Sequence, residues 1–284
     1  MTAIPNSFDA LVRLVPTESP TRWMMEPSPL VLTPRGTLQG GAGLAAALLA
    51  TERTAGRPAL WATAQYLSYA AGLEPVQLDV NLEVVGHSTT QARCVLSRRG
   101  AEVLTAHVAL GSRSFSPDGV WVEMPDVGPP EDGVPYDFFR PGRNDLADLI
   151  ELRVARGRTI AQLRGHPGGG RTVWWCRTVR GRHPVTVGEL AFVGDLLPLG
   201  FCEPYGATYA GNSIDNTLRV GSAGETEWIL IDCHAEQVVN GFGHGTAYLW
   251  SQDGALLGIA SQTIVVRFEA TDGDGFKQAR TRQV

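Results

Sequence analysis

The sequence lacks the features of a membrane, secreted or nucleic-acid-binding protein. None of its apolar runs approaches the roughly 20 residues that span a bilayer. Residues 1–10 lack the basic and then apolar order of a secretory signal. The formal net charge of the 284 residues is −5, and no dense Lys/Arg stripe is present. We therefore expect a soluble cytoplasmic protein that binds neither membranes nor nucleic acid.

Paired cysteines and glycine-rich cofactor motifs are also missing. No C-x-x-C pair suits a zinc site, and no G-x-S-x-G elbow suits an α/β-hydrolase. The glycine-rich run Gly241–Gly245 lies between predicted strands and opens no helix, so it predicts a loop rather than a nucleotide site. We expect no metal and no cofactor. The four cysteines are widely separated and are expected to be small buried apolar residues: Cys94, Cys176, Cys202 and Cys233.

What is present indicates two globular halves. Apolar residues make up 43% of the chain, enough for a sizeable core. A proline-rich segment over 116–147 is expected to be a linker between an N-terminal domain, 1–115, and a C-terminal domain, 148–269. The polar tail, 270–284, is predicted to be disordered or an interface arm.

Each half contains one apolar helical segment followed by alternating strands. The predicted helices are Gln39–Thr54 and Val187–Leu199, and consecutive strands after each helix favour an antiparallel α+β fold. Arg98–Leu110 aligns with Gln252–Ile264, which places Gly100 on Gly254. We infer a tandem repeat, in which a helix is wrapped by an antiparallel sheet twice. The alternative is two unrelated α+β domains that share a hairpin pattern by chance.

Two polar residues of the second half occupy positions that the pattern reserves for apolar ones. Asp195 lies among apolar helix residues, and Gln262 lies on the apolar face of a strand. Each residue also has a purely structural alternative. Asp195 could be a helix-end residue that reaches solvent, and Gln262 could satisfy backbone groups at a sheet edge. The first half has Val108 in place of Gln262 and no acid in its helix before Glu52. The fold therefore does not require these polar groups, which indicates one functional site per chain.

A carboxylate with a nearby amide is suited to hydrolysis. The carboxylate acts as general base or nucleophile, while an amide and a hydroxyl position water or stabilise negative charge. The alternation over Asn212–Val220 predicts that Ile214 and Leu218 face the core. It places Ser213 on the opposite face, with Asp215, where a polar face is ordinarily solvated.

The order and approximate spacing of several motifs resemble the TesB-type double-hotdog acyl-CoA thioesterases. The resemblance covers about residues 8–115 and 148–268. Its motifs are Leu38-Gln39-Gly40-Gly41, Gly194-Asp195-Leu196, Ser213-Ile214-Asp215, Trp228, and Gln262 with Arg267. The sequence departs from the family at Asn216, where a His is common, and at Leu38, where an aromatic residue is usual.

The resemblance implies a fold, an activity and a site. The fold is a tandem (double) hotdog, and the activity is hydrolysis of acyl-CoA to free acid and CoA without a metal. The family's water-activating residues fall on Asp195, Ser213 and Gln262, while Gly40 and Gly41 are expected to bind substrate. A homo-oligomer is also implied.

Two other functions stay open. A thioester dehydratase or hydratase on the same fold usually pairs an acid with a His, which Val187–Leu199 lacks. The third possibility is a non-catalytic protein that binds acyl-CoA or an acyl carrier.

Overall fold

The computed structural model describes residues 6–114, 117–138, 141–208, 210–270 and 276–278. Its α-helices are α1 (Asp9–Val12), α2 (Gly40–Ala55), α3 (Leu146–Leu149), α4 (Ile160–Leu163), α5 (Val187–Gly194) and α6 (Cys202–Tyr205). Short 3₁₀ helices cover Pro29–Val31, Pro130–Asp132 and Leu197–Phe201. None of these helices is long and apolar enough to cross a membrane. All four cysteines are free and buried, as predicted.

The strands form one large antiparallel sheet and a small separate ribbon. Strands of the first half are β1 (Leu14–Pro16), β2 (Arg22–Met25), β3 (Ala59–Tyr66), β4 (Val76–Val85), β5 (Thr89–Arg98) and β6 (Ala101–Gly111). The later strands are β7 (Val134–Pro135), β8 (Glu151–Arg156), β9 (Arg171–Arg177), β10 (His183–Pro184), β11 (Ala210–Ser213), β12 (Asp215–Val220), β13 (Glu225–Thr226), β14 (Ile229–Val239), β15 (Phe242–Ser251), β16 (Leu256–Ala270) and β17 (Phe276–Gln278).

The order of strands shows how the two halves join. The large sheet runs β1-β2-β4-β5-β6-β3-β12-β16-β15-β14-β9-β8-β7, so β3 of the first half pairs with β12 of the second. β11 and β17 also pair with β16, and β10 pairs with β13 in the ribbon. The two half-sheets thus form one continuous surface that packs against α2 and α5.

The tandem α+β architecture is confirmed, with each half a hotdog. Gly100 and Gly254, which the sequence alignment equates, both have left-handed backbone, with φ of +81° and +84°. The same offset equates Thr63 with Thr217, and these two residues pair at the junction, with their hydroxyl oxygens 2.8 Å apart. The repeat is therefore related by a pseudo-twofold axis that passes between β3 and β12.

The first predicted helix is confirmed as α2. It is buried continuously from Gly41 through Thr51, as expected of a helix that is apolar on every side. Gln39 caps its first turn, and Gly56 ends it in the left-handed conformation.

The predicted extent of the second helix was wrong, because α5 ends at Gly194 rather than Leu199. Pro198 accounts for the early end, since a proline ring clashes with the carbonyl four residues before it, here that of Gly194. The chain continues as a 3₁₀ helix. Asp195 consequently lies at the C-terminal end of α5, and the Gly194 carbonyl is left without a helical partner.

The predicted orientation of Ile214 was also wrong. Its side chain is 41% exposed, because the strand breaks there into β11 and β12. Ser213 pairs with Ile264 and Thr217 pairs with Ser261, so the register against β16 shifts by one residue across Ile214. Such a bulge reverses the alternation of side chains. Ser213 therefore lies on the same inward face as Leu218.

Three other segments differ from a simple reading of the sequence. The proline-rich segment contains ordered pieces, and β7 joins the edge of the sheet. Gly241–Gly245 was predicted as a loop, but β15 begins at Phe242. In the tail, β17 pairs with the end of β16, while residues 271–275 and 279–284 lie outside the described residues.

Candidate active site

The C-terminal end of α5 meets the first turn of α2 at Asp195. The Gly41 N–H donates a 2.8 Å hydrogen bond to Oδ2 of Asp195. A Cβ at position 41 would stand 2.5 Å from the Ala191 carbonyl oxygen and 2.6 Å from Cβ of Asp195. Only glycine permits this approach, so Gly41 positions the carboxylate by both its amide and its missing side chain.

The Gln39 side chain also joins the two helices. Its Oε1 accepts a 2.8 Å hydrogen bond from the Ala42 N–H, and its Nε2 donates to the Phe192 carbonyl over 3.3 Å. The start of α2 and the end of α5 are therefore held together independently of Asp195.

Gln262 contacts the same carboxylate from the sheet. Its side chain is 3% exposed, and Nε2 donates to Oδ1 of Asp195 at 2.9 Å and to the Gly194 carbonyl at 3.4 Å. The sheet-edge alternative for Gln262 was wrong, because β16 lies between β12 and β15. Ser213 donates to Oε1 of Gln262 at 2.8 Å. The structure thus brings Asp195, Gln262 and Ser213 together, with Gly41.

Asn216 is a residue of this site that the sequence analysis did not select. Its side chain is 1% exposed, and Nδ2 donates to Oδ1 of Asp195 at 3.3 Å. The signal was present, because Asn216 alternates with Leu218 on an inward strand face, as Gln262 alternates with apolar residues on β16. In the first half, the equivalent positions are the apolar pair Ala62 and Val108.

Tyr66 lies next to this cluster, in contact with Gly40. A Cβ at Gly40 would stand 2.9 Å from the Tyr66 hydroxyl oxygen and 3.2 Å from Oδ2 of Asp195. Gly40 itself does not hydrogen-bond to Asp195. The sequence offered no signal for Tyr66, because an aromatic residue at the end of a strand is ordinary.

Burial dominates the electrostatics of Asp195. It raises the carboxyl pKa to about 7, against the opposing effect of hydrogen bonds from Gly41, Gln262 and Asn216. All three donors are neutral amides, and no described Arg, Lys or His forms an ion pair with Asp195. As the helix-end alternative states, Asp195 lies at the end of α5 and is partly exposed, but both of its carboxylate oxygens are held by hydrogen bonds. Such a group exchanges a proton near neutral pH.

Known proteins share this fold and part of this sequence. Residues 127–266 match the family model described as the acyl-CoA thioesterase C-terminal domain. A structure of a candidate thioesterase from Novosphingobium aromaticivorans is 28% identical and covers 89% of this chain and 98% of its own, with a TM-score of 0.79. No curated protein sequence matches the chain.

Two more distant structures agree in fold. A hotdog protein of unknown function from Alicyclobacillus acidocaldarius is 20% identical, with 92% and 97% of the two chains covered and a TM-score of 0.79. The acyl-CoA thioesterase II TesB2 from Mycobacterium marinum is 19% identical, with 91% and 97% covered and a TM-score of 0.70. The fold is a double hotdog, and its candidate site is the half-buried carboxylate where the two helices meet. Residues 127–266 resemble the acyl-CoA thioesterase C-terminal domain family, and the chain as a whole shares the fold of these solved structures.

Proposed function

We propose that this protein hydrolyses an acyl-CoA thioester to a free carboxylic acid and CoA, with water activated by Asp195. The observation that carries the proposal is the carboxylate itself. It is half-buried and held on both oxygens, and its pKa is close to neutral. A general base is most effective when its pKa lies near the working pH.

The reaction needs one base and one donor to the thioester carbonyl. Asp195 takes a proton from water as the water oxygen bonds to the carbonyl carbon. The C–S bond then breaks, and the proton on Asp195 passes to the leaving CoA sulfur. Ser213 and Gln262 keep the carboxylate in place, and the Ser213 oxygen retains lone pairs that can accept from the water.

The start of α2 is suited to bind the carbonyl oxygen. Its Gly41 N–H is committed to Asp195, while the Gly40 N–H makes no hydrogen bond to a described residue. A free N–H at a helix N-terminus stabilises developing negative charge. We assign Gly40 to the substrate carbonyl and Gly41 to the base.

The dehydratase alternative lacks a suitable histidine. His183 bonds to Glu189 near the start of α5, and His244 bonds to Thr263. No His hydrogen-bonds to Asp195 in the described part of the chain. A non-catalytic acyl-CoA-binding protein differs in one measurable respect, because it would bind the thioester without cleaving it.

Release of free thiol from a panel of acyl-CoAs, from short to long chains, tests the proposal. We expect release with at least one chain length. Folded protein that binds an acyl-CoA but releases no CoA would contradict hydrolysis and favour the binding function.

The activity should rise with pH across neutrality. Since Asp195 must be ionised to accept a proton, kcat/KM is expected to increase about tenfold per pH unit on the acid side and to level off above its pKa. The midpoint should lie near the Asp195 pKa of about 7. Initial rates corrected for uncatalysed hydrolysis measure this, and a rate that falls as pH rises through neutrality would assign Asp195 as an acid.

Protonation of Asp195 should also affect the folding stability, which is expected to fall over the pH range in which activity rises. The folded-state pKa of Asp195 is raised above its unfolded-state value, so the protonated form is favoured in the folded protein. This contribution to stability is fully present below pH 3.8. It is lost as pH rises to about 7, where the active form appears.

Replacement of Ser213 by Ala should lower turnover about tenfold to a hundredfold without unfolding the protein. The substitution removes the only hydroxyl donor to Oε1 of Gln262 in the described part of the chain, so the amide loses its fixed orientation toward Asp195. Ser213→Thr retains the hydroxyl and should retain most activity. Equal rates for Ser213→Ala and the unmodified protein would exclude Ser213 from the mechanism.

A further inference from the structure

Two buried polar atoms beside Asp195 lack hydrogen-bond partners in the described part of the chain. They are the hydroxyl oxygen of Tyr66 and Oδ1 of Asn216. Buried polar groups are normally paired, so each unpaired one calls for an explanation. Both belong to residues that contact the site, since Asn216 donates to Asp195 and Tyr66 lies against Gly40 next to Oδ2 of Asp195.

One of these two atoms is a hydrogen-bond acceptor, and the other belongs to a group that can donate. Because Nδ2 of Asn216 faces the carboxylate, its Oδ1 faces away and requires a donor. Burial raises the pKa of Tyr66 and the Asp195 charge adds to the effect, while the neighbouring Asn216 side chain opposes it. The net direction is upward, so the Tyr66 hydroxyl keeps its proton and is available as a donor beside Asn216.

A chain of hydrogen bonds from a hydroxyl to an amide to the carboxylate already occurs once in this site. Ser213 donates its hydroxyl proton to Oε1 of Gln262, and Nε2 of Gln262 donates to Oδ1 of Asp195. Tyr66 and Asn216 supply a hydroxyl and an amide in the same order, and the amide donates to the same carboxylate oxygen.

The pseudo-twofold axis shows that the fold does not require this second pair. The offset that equates Thr63 with Thr217 also equates Ala62 with Asn216 and Tyr66 with Val220. The counterpart of the Tyr66–Asn216 pair is therefore Val220 with Ala62, which is apolar. The polar version occurs only on the side of the axis that holds Asp195.

We propose that Tyr66 and Asn216 form a second hydroxyl–amide relay onto Asp195, in which the Tyr66 hydroxyl donates to Oδ1 of Asn216 and so keeps its amide N–H on the ionised carboxylate. Both act as positioning residues. The effect on turnover rests on the proposed hydrolytic function, whereas the effect on Asp195 ionisation does not.

Loss of either residue should make Asp195 harder to ionise. Without the Asn216 N–H, Oδ1 keeps one donor instead of two. Without the Tyr66 hydroxyl, the Asn216 amide is free to turn its oxygen toward the carboxylate. Tyr66 on β3 feels the charge of Asp195 and also that of Asp215 at the start of β12, whose Oδ1 accepts from the Thr263 N–H. Among the described residues, no titratable side chain of α2, α5 or β16 hydrogen-bonds to Asp195.

The test is a titration of Asp195 in the full chain labelled with ¹³C-aspartate. The Asp195 carboxyl resonance is identified by its absence in Asp195→Asn. We expect Asn216→Leu to raise the titration midpoint by about one pH unit, and Tyr66→Phe to raise it by less. The acid limb of kcat/KM should move equally, with KM nearly unchanged. Tyr136→Phe, at a buried tyrosine packed on Trp174, is the control and should move neither.

A double variant separates a relay from two independent effects. In the relay, Tyr66→Phe adds nothing once Asn216 is Leu. Midpoints that stay unchanged in both single variants would overturn the proposal. It would also fall if Tyr66→Phe slowed turnover at every pH without moving the midpoint, since the hydroxyl would then contact substrate. A shifted midpoint in a protein that cleaves no acyl-CoA would uphold the relay and refute the proposed function.

Discussion

Asp195→Asn is expected to reduce acyl-CoA hydrolysis by about a thousandfold or more while the protein stays folded. The substitution retains the size of the side chain but removes the carboxylate that we propose accepts the water proton. Folding should survive because Gln39 and Gln262 bond α5 without Asp195, through the Phe192 and Gly194 carbonyls. Thiol release under saturating acyl-CoA measures the loss, and circular dichroism with thermal unfolding monitors the fold.

A matched carboxylate provides the control for this result. Asp253 is exposed in the β15–β16 turn and pairs with Arg182. Asp253→Asn should therefore retain full turnover. If Asp195→Asn also hydrolysed acyl-CoA at the original rate, Asp195 would not be the base, and the site would have to be sought elsewhere.

Gly41→Ala should impair both stability and catalysis. A Cβ at this position would stand 2.5 Å from the Ala191 carbonyl oxygen, 2.6 Å from Cβ of Asp195 and 2.9 Å from Cα of Phe192. Two of these contacts are backbone atoms, so α2 and α5 must move apart. Overpacking of this kind destabilises proteins by about 1–3 kcal/mol. Displacement of a catalytic group by about 1 Å lowers turnover by about a hundredfold.

Denaturant unfolding and thiol release on the same preparation measure the two effects together. Gly169→Ala is the control, since a Cβ at Gly169 would have no neighbour within 4 Å. It should leave both measurements unchanged. A Gly41→Ala protein with undiminished turnover would show that the close approach of the two helices is unnecessary for the site.

Much of the fold was predictable because its signals are local. The apolar composition of α2 indicates burial on every side, and the shared Gly-containing turns reveal the repeat. Asp195 and Gln262 were also identifiable, because each interrupts an otherwise apolar pattern while the matching position in the first half does not. Such conflicts between local pattern and residue type are typical of functional sites.

Other parts of the site depend on contacts between distant segments. The bulge at Ile214 follows from the different pairings of β11 and β12, and it alone turns Ser213 inward. Asn216 carried the same signal as Gln262, but its significance rests on where α5 ends. Tyr66 enters the site only because β3 of one repeat pairs with β12 of the other.

The repeat, the buried helix and the two polar residues that conflict with burial follow from the amino-acid sequence alone, because periodicity and residue type are properties of neighbouring residues. The identity of the groups that hold the carboxylate depends on tertiary contacts. The Gly41 amide, the Ser213–Gln262 pair, Asn216 and Tyr66 come from both halves of the chain. They converge on Asp195 because the pseudo-twofold junction and the close packing of α2 on α5 bring them there.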